Sequence, residues 1–364
     1  MVHRVLAMLL VFACACQGSY EVRVFGEAFV EEGIPASAVR DGWEIRFTEF
    51  VVSIGEVSLE GDERVELAGY YVFDLTRPSD GEGHLLAAID DIQTGNYAAV
   101  RYRFEQPGEV VGGNATAEQL ERLKAKGTAL HVVGEATRGG ERVGFDWDFS
   151  ISFGHSCKIA ERVRASDGGS TQLTIHADHL LLDDLGPNGE IAFDLIAASD
   201  VDSDGVVLPS ELAQTSILPL ERYQTAGVDI DDLWTYVGNL ALTLGHVDGE
   251  GGCDPVYVPA RYAGRKSPGG MEDRGATLYA AQCASCHGEH GGGDGPMAEG
   301  MDPRPSNLTA LPHVTLRDDY LYFRIAEGGG FFPYASAMPG VGASLPEADV
   351  WALVDAVYMF SHGH

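Results

Sequence analysis

Gly275-Ala276-Thr277-Leu278-Tyr279-Ala280-Ala281-Gln282-Cys283-Ala284-Ser285-Cys286-His287-Gly288 is the stretch that decides how the C-terminal part of this chain folds. Two thiols stand three residues apart, and an imidazole follows the second. A zinc site would require another ligand pair at a matching distance, and none follows. A redox cysteine pair would require no histidine. Two thiols at this spacing each reach one vinyl group of a haem, and the adjacent His287 then lies under the iron as proximal ligand. The motif therefore predicts one covalent haem on Cys283 and Cys286. The residues before it carry Ala and Leu at helical spacing.

The pattern extends in both directions. Gly291-Gly292-Gly293-Asp294-Gly295-Pro296 forms a Gly-rich loop, and Pro303-Arg304-Pro305-Ser306-Asn307-Leu308-Thr309 follows it. Residues 316–327 read as a helix ended by Gly328-Gly329-Gly330. Val350, Leu353, Val354, Val357 and Tyr358 recur on one helical face, after Pro346-Glu347. Together these segments resemble the small class I cytochromes c over residues 271–364. The resemblance implies an all-α domain, His/Met ligation of the iron and single-electron transfer. It also implies a crossing of the first and last helices at Gly275, against an aromatic such as Tyr358. Met297, Met301, His313, Met338, Met359, His362 and His364 are the candidate sixth ligands. Ser336-Ala337-Met338-Pro339-Gly340 looks like the family's distal-methionine loop, so Met338 is the expected ligand. With both axial positions filled, electron transfer is favoured over oxygen chemistry.

The N-terminus reads as an export signal. His3 and Arg4 precede the apolar run Val5-Leu6-Ala7-Met8-Leu9-Leu10-Val11-Phe12-Ala13, which is too short to span a bilayer core of ~30 Å. Cys14 and Cys16 end it in a pattern that resembles a bacterial lipoprotein signal, with ordinary cleavage as the alternative. Either places the mature chain outside the cytoplasm, in the periplasm or at the outer surface, attached to a membrane only through such a lipid. Of the six cysteines, Cys157 and Cys253 remain unassigned, and in an oxidising compartment two leftover thiols pair. A disulfide between them is expected; two buried thiols or a shared metal site are the alternatives.

Asp200-Val201-Asp202-Ser203-Asp204-Gly205-Val206-Val207-Leu208-Pro209-Ser210-Glu211 fits D-x-D-x-D-G-x5-E without a gap. Asp200, Asp202, Asp204, the Val206 carbonyl and Glu211 form an oxygen ligand set for Ca²⁺, with Gly205 supplying the turn. Leu208 and Pro209 are unusual at their loop positions. A solvated acidic turn is the competing reading. Helices are expected on both sides of the loop.

The remainder reads as β. Segments such as Trp43-Glu44-Ile45-Arg46-Phe47 and Val143-Gly144-Phe145-Asp146-Trp147-Asp148-Phe149 alternate, with turns at short intervals and one helix over 117–126. This predicts an antiparallel sandwich over residues 20–179, with no resemblance to a characterised family. A helical segment with the EF-hand-like loop then covers 180–253, and an exposed linker 254–270 leads to the cytochrome domain at 271–364. The fold class is multidomain: a β-sandwich-like region with a helical calcium-loop segment, then an all-α domain. His155, His176, Asp178, His179 and His246 form a polar group near the two cysteines. A transition-metal site is one reading; hydrogen-bonded polar residues under the sandwich is the other.

Charge bounds the partners. Twenty-four basic against 55 acidic residues give a net charge of -31, which excludes a nucleic-acid footprint. Residues 271–364 hold twelve carboxylates, four arginines and no lysine. A redox protein partner is therefore expected to present a basic patch. The main function expected is electron transfer through the haem. The alternatives are a metal- or ligand-binding protein, or a metal-oxidising enzyme whose N-terminal site feeds the haem.

Overall fold

A computed structural model describes residues 19–361, apart from 91, 94, 160–161, 164–167, 186–187, 219–221, 226–229, 259–260, 263, 302–303, 312–315 and 330–335. The expected signal over 1–16, with Cys14 and Cys16, lies outside the described residues. So do His313, His362 and His364.

The β-rich region contains β1 (Tyr20–Phe25), β2 (Glu44–Gly61), β3 (Arg64–Glu66), β4 (Tyr70–Asp74), β5 (His84–Ile89), β6 (Gly95–Phe104) and β7 (Val110–Gly113). It continues with β8 (Leu130–Arg138), β9 (Glu141–Phe149), β10 (Phe153–Lys158), β11 (Arg162–Val163), β12 (Gly169–Ile175), β13 (Val206–Val207), β14 (Gly245–Val247) and β15 (Cys253–Tyr257). One sheet runs β14-β12-β1-β5, and a larger one runs β13-β9-β8-β2-β6-β10-β15. Alternation drives this. In β1, Tyr20, Val22 and Val24 are fully buried while the residues between are not. Their inner faces share one core with Trp43, Phe145, Trp147 and Phe149.

The sandwich is not purely antiparallel. β1 pairs with β12, β4 with β7 and β13 with β9 in parallel. These partners are separated by long stretches of chain, and only tight hairpins force the antiparallel sense.

Helices α1 (Glu27–Glu31), α2 (Ala117–Lys126), α3 (Asp194–Ala197), α4 (Pro209–Leu212) and α5 (Leu233–Leu240) accompany the sheets. The expected division at 179/180 corresponds to no boundary. Phe193, Ile196, Val207, Leu212, Leu233, Tyr236 and Leu240 belong to the sandwich core, and β14 and β15 return into the two sheets. Short apolar helices cannot bury a face alone, so they cover the sandwich instead. Cys157 and Cys253 pair in register between β10 and β15 and are joined by a disulfide.

The expected linker is also different. Residue 254 is already inside β15, and Val258 is fully buried in the C-terminal core. Arg265 lies 4.4 Å over the Tyr322 ring and ion-pairs with Glu347. Arg261 pairs with Glu327 at 3.2 Å, and the Ser267 hydroxyl donates to Asp355 at 2.8 Å. Arg261 and Arg265 thus dock on acidic and aromatic residues of the helical module.

That module contains α6 (Glu272–Gln282), α7 (Ala284–His287), α8 (Asp318–Glu327) and α9 (Glu347–Ser361). α6 and α9 cross at Gly275, but not against Tyr358. A Cβ on Gly275 would stand 2.1 Å from the Ala352 carbonyl oxygen and 3.2 Å from the Ala356 methyl. Tyr358 instead donates its hydroxyl to Asp318 at 2.7 Å. The backbones approach too closely for an aromatic to intervene. Phe360 takes the aromatic contact, 4.7 Å from Tyr279 between ring centres.

Candidate functional site

The C-x-x-C-H motif begins at the last turn of α6. Cys283 caps that helix, and the Cys286 and His287 amides donate back to its carbonyl at 3.1 and 2.9 Å. The chain then turns at Gly288 (φ +83°), where a Cβ would lie 2.1 Å from Asp294 Oδ1. Only glycine fits that turn. The Gly-rich loop folds back, the Gly293 amide donating to the His287 carbonyl at 2.8 Å and the Gly295 amide to that of Cys286 at 3.1 Å. His287 Nδ1 donates to the Ser306 carbonyl at 3.0 Å. That bond fixes the ring and leaves Nε2 free as a ligand atom.

Facing this turn is the methionine loop. The Gly329 amide donates to the Met338 carbonyl at 2.9 Å, and the Val341 and Gly342 amides donate to the carbonyls of Ile325 and Ala326 at 3.1 and 2.9 Å. The end of α8 therefore carries Met338 as a fixed strap. A cavity of about 430 Å³ lies between, lined by Cys283, Cys286, His287 and Met338, with Pro305, Ile325 and Val341 among its apolar walls. Its size and lining suit a prosthetic group. Both cysteines are free. Burial, and then Cys286 beside it, push the Cys283 thiol up to about 11. A reactive redox cysteine is shifted the other way. The residues fit a covalently attached haem. Met297 and Met301, two of the other candidate ligands, also line this cavity. Met297 is 56% exposed and its backbone belongs to the Cys–His side, its amide bonded to the Ser285 carbonyl at 2.8 Å.

In the acidic loop, Asp200, Asp202 and Glu211 bring carboxylate oxygens within 4.8 Å of one another. Asp200 accepts from the Asp204 and Gly205 amides at 3.1 and 3.0 Å. Buried Glu211 accepts from the amides of Val201 and Leu208 at 3.0 and 2.8 Å, clamping the two ends of the loop. Asp204 turns inward to the Val206 amide at 2.8 Å. Val206 and Val207 form the short strand expected there, paired with β9. The flanking helices α3 and α4 have four residues each: the first is half the length expected over 191–198, and the second starts two residues before the expected 211–214, with Pro209 in its first turn.

His176, Asp178, His179 and His246 come together at one end of the smaller sheet. His155 does not join them. It is buried beside Tyr102, Phe104 and Phe153, with ring centres 4.9–5.3 Å away, and burial followed by the His246 charge lowers it to about 3. β12 ends at Ile175, and a 3₁₀ turn occupies Ala177–Leu181, so His176, Asp178 and His179 stand past the end of the strand. Sequence reading missed Glu27 and Glu250 beside this group. It also missed His131, 2.9 Å from Asp148 across β8 and β9, with Arg122 already pairing Asp146 and Asp148. The only signal for that second cluster was alternation in two adjacent strands.

Residues 270–356 match the family model described as Cytochrome C oxidase, cbb3-type, subunit III. No curated protein matches the chain. Among solved structures, a chain of the Kuenenia stuttgartiensis reducing HAO-like protein complex is 29% identical over a match covering 26% of this chain and 45% of that one, with a TM-score of 0.22. The match spans less than half the length of that chain. No helix among the described residues is long and apolar enough to cross a membrane. On its motif, cavity and family match, the C-terminal module is a class I c-type cytochrome.

Proposed function

We propose that this protein is an exported single-electron carrier with one haem, held by thioethers from Cys283 and Cys286 and ligated by His287 and Met338. The observation that carries the reading is the cavity with the Cys–His turn on one wall and the strapped Met338 on the other. A haem held there would supply one-electron ferric/ferrous chemistry, and ligation by histidine and methionine would raise its potential. The chain's own residues do the rest. The Ser306 carbonyl orients His287, the α8 strap aims Met338, and the apolar wall keeps water from the iron edge. A haem assay on the full chain should give one haem per chain. Met338→Ala should lose the sulfur-to-iron absorption band of the ferric protein and lower its potential. A variant that keeps both would transfer the role to Met297 or Met301.

The lysine-free module with twelve carboxylates and four arginines favours a basic docking patch on the redox partner. Rates with such a partner should fall as salt rises; a flat salt dependence refutes the steering. Residues 200–211 act as a Ca²⁺ staple rather than a sensor, since one loop with two short helices has no partner helix pair to open. Lipidation at Cys14 or Cys16 fits export, and incorporation of labelled fatty acid tests it.

A further inference from the structure

The histidine group at the end of the smaller sheet is a built site. A 3₁₀ turn repeats every three residues, so His176 at its cap and His179 within it lie on one side; their ring centres are 5.3 Å apart. β14 pairs with β12 so that His246 faces Thr174. This brings the third ring 4.4 Å from His176 and 5.1 Å from His179. Carboxylates close the group. His176 Nδ1 lies 3.6 Å from Glu27, 3.9 Å from Asp178 and 3.9 Å from Glu250. Glu27 reaches it from a backbone at φ +58°. Such strain persists only where the surroundings enforce it.

The imidazoles are already aimed. His179 Nδ1 donates to the Thr243 carbonyl at 2.8 Å, leaving Nε2 free. His176 Nε2 faces the Gly249 carbonyl at 3.4 Å, leaving Nδ1 towards the carboxylates. Backbone carbonyls hold metal-ligating imidazoles in this way. His246 Nδ1 and Asp178 Oδ1 are buried without a hydrogen-bond partner, a desolvation cost that a bound cation would remove. Donor atoms of His176, Asp178 and His179, and those of His176, His246 and Glu250, lie within 4.8 Å of one another. Neighbouring ligands of a tetrahedral ion with bonds of ~2.1 Å stand about 3.4 Å apart, so small side-chain rotations close the set.

We propose that His176, His179 and His246, with carboxylate from Glu250, Asp178 and Glu27, bind one divalent transition-metal ion. Three imidazoles with carboxylate suit zinc or copper and distinguish this site from the oxygen-only loop at 200–211. The test uses the full haem-loaded chain, stripped with chelator and dialysed against Zn²⁺. Elemental analysis should give one zinc per haem iron. The His179→Gln/His246→Gln double variant should lose that equivalent while keeping its haem spectrum, and Asp200→Asn should retain it. Wild-type protein without bound zinc, or a double variant that holds as much, overturns the proposal. Should the double variant not fold, Cu²⁺-loaded wild type decides. Nitrogen splitting in its copper resonance supports the site, and a copper signal without it rejects the site.

Discussion

Replacing Gly275 by alanine tests the crossing on which the cytochrome module is built. The new methyl would sit 2.1 Å from the Ala352 carbonyl oxygen, which is backbone and cannot rotate away. Restoring a carbon–oxygen contact of ordinary length requires α9 to retreat by about 1 Å, and a gap of that size forfeits a quarter to a half of each dispersion contact along the seam. Overpacking of this kind costs typically ~1–3 kcal/mol. Alanine returns ~1 kcal/mol through helix propensity. The upper half of that range is expected, because the neighbour is backbone, and it leaves a net loss of about 1–2 kcal/mol. For a module of this length, that corresponds to a fall in Tm of roughly 4–16 °C. The assay is thermal unfolding of the haem-loaded protein followed at the haem absorption, with Ala276→Gly as control. Ala276 is exposed on the same helix, so its variant reports propensity alone and should lose about 1 kcal/mol. A Gly275→Ala protein that melts at or above wild type would refute the close-crossing argument.

Removing Ca²⁺ with a calcium-selective chelator that leaves zinc in place should lower the melting temperature of the β-rich region, and Asp200→Asn should make the protein insensitive to the treatment; an unchanged curve in wild type rejects the staple. The disulfide closes a loop between residues 96 apart, so a Cys157→Ala/Cys253→Ala protein should lose about 3–5 kcal/mol against denaturant, while free-thiol counting on unfolded, unreduced wild type should find neither cysteine. Asp355 accepts from the Ser267 hydroxyl and the Met271 amide at 2.8 and 3.0 Å. Asp355→Ala should therefore cost about 1–3 kcal/mol and raise protease cleavage within 258–271, with no such rise for the exposed Glu289→Ala.

How much could be read in advance depended on how local the signal was. The haem turn was legible because thiols, imidazole and the glycines that shape the loop lie within fourteen residues. The strands were legible from alternation, and Cys157–Cys253 from counting. Sheet order was not, since parallel pairs such as β1 with β12 are set by tertiary packing over long separations. The histidine group was half legible. His176, Asp178 and His179 share one short motif, whereas Glu27 enters from a helix about 150 residues away and His155 points into aromatic rings instead. Residues 254–270 misled because Pro and Gly read as a spacer. Tyr262 and Arg265 pack on the Tyr322 ring about sixty residues later, and Val258 joins the same core.

That docked segment changes what counts as a unit of recombination. The match to the family spans 270–356, yet the core of the module takes in Val258, and β15 ends one residue earlier. The seam between the two parts thus has almost no slack. A transplant cut at 270 would carry away a haem module lacking one of its own walls, and a graft that keeps 258–361 would carry a self-sealed one. In this chain, the piece that travels as an electron carrier is longer than the piece that is recognisable as one.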